Sequence, residues 1–406
     1  MKKTWLLGFG FFSISITWAL YNAFVPFFLE HYVQSVAVVG FLMTIDNYFA
    51  LFLQPWIGNR SDRTTTRYGR RMPYLLIGMP LAAIFTAIIP FHTGLFTLLL
   101  FMILMNLSMS LYRSPTVALM PDTTLEDKRT KANGIINFMG GVGAVIAFGV
   151  GSILYDYHRS LPFIVAGLLT LICLLIVSRT IRESRDSVIT PPLDTPVLGK
   201  KPRISLKGQL DRTTLFLLAA IFFWFVAYQG VETLFTLYGK NYLGLSEKAS
   251  SFSLTFFSLA FVVFAIPSGF LGNRFGKFKM IITGICGLFV VFGLVIFVKD
   301  LLLLRLLLVL GGMFWACINI NSYPFIISTG KEESIGTRTG LYYLVSSLAA
   351  ISSPPLLGLM IDSFGYAILF YCASASMLVA LGFILMVRHP EESLNMPSNE
   401  LPTKAV

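Results

Sequence analysis

Twelve runs of mostly apolar residues follow one another along the chain, and a soluble fold has no interior that hides so many. A helix needs about 20 such residues to cross a bilayer. The runs fall at 5–29, 36–57, 74–91, 95–118, 132–154, 160–178, 214–238, 249–271, 280–298, 301–324, 339–361 and 364–387. The third and sixth are short. Composition agrees with a bilayer as solvent: 55% of the 406 residues are hydrophobic and 13% charged, against roughly 25% charged in soluble domains. The pattern predicts an all-α membrane protein of twelve transmembrane helices in two six-helix halves. Residues 1–178 form the first half, 179–213 a charged, proline-containing linker, 214–388 the second half and 389–406 a tail.

Lysine and arginine set the orientation. With the N-terminus inside, the inner segments hold 25 of the 31 basic residues and the outer segments five; Arg113 lies inside a span. This asymmetry predicts a multi-pass protein of the plasma membrane with both termini cytoplasmic. It also accounts for the net charge of +11 without a nucleic-acid partner. Lys2 and Lys3 before an apolar run resemble a signal peptide. No small-residue cleavage site follows, and Asn22, Pro26 and Glu30 interrupt the run, so it reads as a retained first helix. The four cysteines, Cys173, Cys286, Cys317 and Cys372, lie singly in apolar runs, so no metal site and no cofactor is expected.

The stretch "GNRSDRTTTRYGRRMPY", Gly58–Tyr74, packs five arginines between spans 2 and 3. It has a second copy. After span 8 the chain reads Gly272-Asn273-Arg274-Phe275-Gly276-Lys277-Phe278-Lys279-Met280. Both copies have Gly-Asn-Arg, then aromatic-Gly-basic, then basic-Met, at the same place in each six-span half. Duplicated halves with a midplane site between them are a construction rule of secondary transporters.

With these residues in hand, the chain resembles the major facilitator superfamily. The loop carries Gly58, Asp62, Arg63, Gly69, Arg70 and Arg71 in that superfamily's motif order. Its spaced form, with "YRSPTVALMPD" closing span 4 and "ANGIINFMGGVGAVIAFG" opening span 5, is similar to sucrose- and maltose-type carriers and to glycoside–cation symporters. Two positions depart. Val117 stands where plant sucrose carriers carry an arginine. Gln54 stands where melibiose-type carriers carry a second cation-binding acid, which leaves Asp46 as the acid of span 2. The resemblance implies that Asp62, Arg63, Gly69, Arg70, Arg71, Arg113 and Arg274 serve the inner gate. It also implies that spans 1, 4, 7 and 10 line the cavity.

Charges inside a span are costly and face a cavity or a partner. Asp46 reads as a proton-coupling group or as a structural anchor to Asn47. Glu232 reads as a sugar-hydroxyl acceptor, a proton-coupling group or an outer-gate anchor. Arg113 reads as a substrate ligand, a snorkelling side chain or a partner of Asp62. Hydroxyl ligands for a sugar are at hand in Asn22, Asn47, Gln229, Asn319 and Asn321. Aromatic faces are at hand in Trp18, Tyr21, Trp224, Tyr228, Trp315 and Tyr343, each of which could equally pack on its neighbours. The glycines of span 5 read as close-packing positions.

Enzyme readings find no support. The sequence has no HExxH, GxSxG or Walker A pattern, and its four histidines fall at span edges or tails. The expected function is proton-coupled symport of a sugar or glycoside by a monomer, with the lipid bilayer and a small solute as its partners. The alternatives are a major facilitator carrier for a drug, peptide or metabolite, by antiport or with sodium, and a non-transporting membrane sensor.

Overall fold

The computed structural model describes residues 2–125, 129–181, 212–329 and 335–387. Most of the 179–213 linker and the whole tail lie outside them. Among the described residues there are thirteen α-helices, one short 3-10 turn and no strand. The first half contains α1 (Lys2–Tyr32), α2 (Val36–Met43), α3 (Ile45–Asp62), α4 (Met72–Ile88), α5 (Leu95–Thr123), α6 (Arg129–Tyr157) and α7 (Leu161–Thr180). The second contains α8 (Arg212–Asn241), α9 (Glu247–Phe275), α10 (Lys277–Val295), α11 (Leu301–Ser328), α12 (Ile335–Phe364) and α13 (Ile368–Leu385). With α2 and α3 as one span, twelve segments are long and apolar enough to cross a membrane. Helices satisfy their own backbone groups, which is the condition for crossing lipid.

Several spans run past their expected ends, and capping residues fix where some of them start. Ser246 accepts from Ala249 N–H at 3.1 Å to start α9, and Asp300 accepts from Leu303 N–H at 2.8 Å to start α11. The arginine-rich stretch is only partly a loop. Gly58–Asp62 form the last turn of α3, and the second copy is helical through Phe275.

The expected continuous span 36–57 is broken. At Thr44 the backbone tightens (φ −85°, ψ 0°), and the Thr44 hydroxyl donates to Phe41 O at 2.8 Å. Threonine competes in this way with the helical ladder. A new helix starts at Ile45, with Asp46 in its first turn. The positive end of that helix dipole favours an anion there.

The shared glycines now have reasons. Gly69 and Gly276 sit at φ 107° and 94°, a region that side chains disfavour. A Cβ on Gly276 would meet nothing within 4 Å, so its requirement is purely conformational. With ψ at 133°, Gly276 lies outside the left-handed helical well that Asn tolerates, so Gly276→Ala and Gly276→Asn should each cost about 1–3 kcal/mol, read as the thermal unfolding midpoint of the purified protein. A clearly smaller loss for Asn would contradict this.

The halves meet along α1–α8, α6–α9 and α2–α12. The last pair touches backbone to backbone: a Cβ on Gly358 would lie 2.5 Å from Val36 O, and one on Gly40 would overlap Pro354 O. Span-5 glycines face both ways, Gly143 toward α1 and Gly141 toward Val262 of α9. The buried share of the most apolar window is 83% for α1 and 17% for α9, so α1 is central and α9 largely faces outward.

Candidate functional site

The intramembrane charges gather between the halves. Asp46 opens α3 and accepts from Asn47 Nδ2 at 3.0 Å. The α5 guanidinium of Arg113 is its electrostatic partner, and Arg113 also senses Tyr343 of α12. Glu232 of α8 interacts with Asp46 across the boundary between halves, and the Tyr228 hydroxyl lies beside its carboxylate. Tyr228 stacks on Trp315 of α11, with ring centroids 3.9 Å apart and planes 6° from parallel. Phe225 meets the same indole edge-on at 5.7 Å.

On α1, Trp18 and Tyr21 pack edge to face at 5.7 Å. Tyr21 is buried next to Asn106 of α5, and its hydroxyl interacts with Asp46. Helical spacing pairs Trp18 with Asn22 and Trp315 with Asn319, each four residues apart and on one face. Asn22, Gln229 and Asn319 are half-buried, and none has a side-chain hydrogen-bond partner among the described residues. Half-buried amides without partners are free to serve a polar ligand.

Three sequence expectations are corrected. Arg113 does not pair with Asp62; its charge partner is Asp46, deeper in the bundle. Asn321 is a packing anchor: its Nδ2 donates to Ser268 Oγ and to Cys317 O, both at 3.0 Å, and a Cβ on Gly272 would overlap its Oδ1. Trp224 is fully buried, so its indole packs on neighbouring side chains. Tyr343, by contrast, is 58% exposed.

At the arginine-loop end, the chemistry centres on a residue that the motif did not single out. Asp122, at the end of α5, receives Arg70 through Nε at 3.1 Å and Nη2 at 2.7 Å, and Arg71 through Nε at 3.1 Å. Arg71 reaches on to Asp62, Ser61 and Gly58 O. The Arg71 and Asp122 side chains are 6% and 5% exposed, Asp62 52%. An acid closing "VALMPD" was the available signal; its partners lie more than fifty residues away. Arg63 caps α3, and Arg274 lies over its neighbour Phe275. All of the Asp62 and Asp122 pairs named here lie within the first half.

The opposite end ties the halves together. Lys240 of α8 bridges Glu30 of α1 at 2.9 Å and Glu247 of α9 at 3.1 Å, and Tyr155 of α6 donates to Glu247 at 2.9 Å. Asn241 joins Glu30 and Tyr366. Burial first, and Glu30 second, push the Tyr366 hydroxyl up to about 12, so it stays neutral. Asp362, near the end of α12, caps α2 of the other half. It accepts from Ser35 Oγ at 2.6 Å, Val36 N–H at 2.7 Å and Ala37 N–H at 3.0 Å. A crevice of about 630 Å³ opens beside this seal, lined by Asp156, His158, Arg159, Glu247 and Lys248 among others. The conformation is therefore closed at the end opposite the arginine loop. Asp362→Asn removes the capping charge. It should raise labelling of a Tyr32→Cys probe by an impermeant maleimide several-fold; unchanged labelling would remove Asp362 from the seal.

Comparison with known proteins agrees with this geometry. The chain is 24% identical over 337 residues to the class B tetracycline resistance protein of Escherichia coli, covering 82% of each chain. It is 26% identical over 162 residues to the sucrose transport protein SUC3 of Arabidopsis thaliana, covering 34% of this chain and 27% of that one. Among solved structures, the nucleoside transporter NupG matches with a TM-score of 0.76 at 12% identity, over 95% of this chain and all of the other. An inward-facing bacterial homologue of the human lysosomal transporter Spinster matches with a TM-score of 0.71 at 14% identity, over 95% and 94%. The sequence profile of the Major Facilitator Superfamily fits residues 7–256 and again 240–405. With twelve spans, two halves and a charged site between them, the chain belongs to that superfamily and is a membrane transporter of a small solute.

Proposed function

We propose that the chain carries a sugar or glycoside together with protons across the plasma membrane, as a monomer, by alternating access. The observation that carries this reading is that each half places one carboxylate inside a membrane span, Asp46 in the first turn of α3 and Glu232 within α8. A buried carboxylate that can lose its charge by protonation is suited to proton coupling. Arg113 beside Asp46 supplies the countercharge when the proton leaves. The three unpartnered amides and the Tyr228–Trp315 stack support a ligand with hydroxyls and a flat face. Asn22, Trp18, Tyr21, Asn47, Tyr228, Gln229, Glu232, Trp315 and Asn319 are the proposed substrate contacts.

In this reading the arginine-loop end is cytoplasmic, both termini are inside and the present conformation faces inward. Residues 1–178 and 214–388 rock about the site, with 179–213 as their cytoplasmic link. Asp62, Arg63, Gly69, Arg70, Arg71, Arg113 and Arg274 belong to the inner gate or its support.

A second reading is proton-coupled antiport of a drug. Its support is that relatives matching most of the chain include the class B tetracycline resistance protein. Proteoliposomes decide between them. With the lumen lightly buffered, a sugar from a mono- and disaccharide panel should acidify the lumen as it enters. No pH change with any sugar, together with lumen alkalinisation on drug entry, would overturn symport in favour of antiport.

A further inference from the structure

A cavity of about 40 Å³ lies against Glu232 in the second half. Its walls come from five helices of the C-terminal half and from Phe148 of α6. Phe257, Val291, Phe292, Leu308 and Phe370 make it apolar, and Tyr228, Glu232 and Ser258 supply its polar groups. At Gly311 the wall has no side chain.

Two facts separate this cavity from an ordinary packing fault. A titratable side chain of the candidate site opens onto it. Part of its wall, Phe148, belongs to the other half and is itself buried. Apolar cavities exclude water and accept apolar groups. The space suits two or three carbon atoms.

We propose that this cavity is a subsite for a short apolar substituent, of methyl to propyl size, on the transported solute. The hydroxyl-bearing part of the same solute then lies on Glu232, Gln229 and Asn319. The inference deepens the sugar reading and rests on it: the substrate class becomes a glycoside with a small alkyl aglycone.

Calorimetry on the full-length protein in detergent-free lipid nanodiscs tests this. The probes are glucose and galactose, their methyl, ethyl, propyl and hexyl β-glycosides, and the matching n-alkylamines. Burial of each methylene strengthens binding about fourfold, so a propyl glycoside, with two more methylenes, should bind roughly fifteenfold more tightly than the methyl one. Hexyl should lose that gain. Gly311→Ala adds a methyl in ordinary contact with Phe257 at 3.4 Å and Val291 at 3.7 Å, so it fits the fold while filling the cavity. It should cut the propyl advantage to about twofold or less while leaving methyl glycoside binding nearly unchanged. Val291→Ala enlarges the cavity and should move the optimum to a longer chain.

An optimum that appears only with the alkylamines, and shifts with the same two variants, keeps the subsite and removes the sugar reading. Binding of sugars with no chain-length optimum, or an optimum that ignores both variants, overturns the subsite and leaves the sugar reading standing. No optimum in either series overturns the subsite as well.

Discussion

Asp46→Asn should abolish concentrative uptake while leaving exchange. An imposed difference of one pH unit, acid outside, supports about tenfold accumulation for each coupled proton. The asparagine is isosteric and cannot take up that proton, so accumulation should fall to equilibrium. Equilibrium exchange of labelled substrate needs no net proton movement and should persist. Glu232→Gln should behave differently, weakening binding, because Glu232 lies with the Tyr228–Trp315 stack. Asp46→Asn that still accumulates substrate against a gradient would remove Asp46 from coupling. Arg113 makes the pair informative: with Asp46 neutral, its charge has lost a partner inside the bundle. Asp46→Asn with Arg113→Gln should therefore be more stable than Asp46→Asn alone.

Asp122→Asn should be the most destabilising single change at the arginine-loop end. It leaves two guanidiniums facing a neutral amide, and Arg71 is almost wholly buried. Breaking a buried ion pair from one side costs about 3–5 kcal/mol. Asp62→Asn should cost under about 1 kcal/mol, because Asp62 is half exposed and its attraction is screened. Its effect belongs in turnover rather than in binding. Thermal unfolding of the two purified variants checks the order, and a larger loss for Asp62→Asn would reverse the assignment. Motif position and energetic weight thus diverge: Asp62 carries the resemblance, whereas Asp122 holds the arginines.

The spans were legible because crossing a bilayer demands apolar length, and length is written locally. The repeat was legible for a related reason. Gly69 and Gly276 each satisfy a backbone angle set within a few residues, so the requirement left the same letters in both halves. The break at Thr44 was not legible. Hydropathy averages over it, and a threonine in an apolar run is ordinary until its hydroxyl is seen to take Phe41 O. Asn321 misled for the opposite reason: an amide in a span suggests a ligand, but this one is satisfied by Ser268 and Cys317. The free amides, Asn22, Gln229 and Asn319, differ from it only in their surroundings.

The order of apolar runs, their basic flanks and the duplicated glycine pattern by themselves determine a two-half helical membrane protein, and they place charge where lipid forbids it. These properties depend on residues close in sequence. Which charge answers which is a different matter. Arg113 acts on Asp46 through its electrostatic field, Asp122 meets Arg70 and Arg71, and Asp362 caps the helix that begins at Val36 in the other half. Each of these pairs joins residues far apart along the chain. Electrostatic attraction depends on distance in space, and only the packing of α2 on α12, α4 on α5 and α3 on α5 brings the partners within reach.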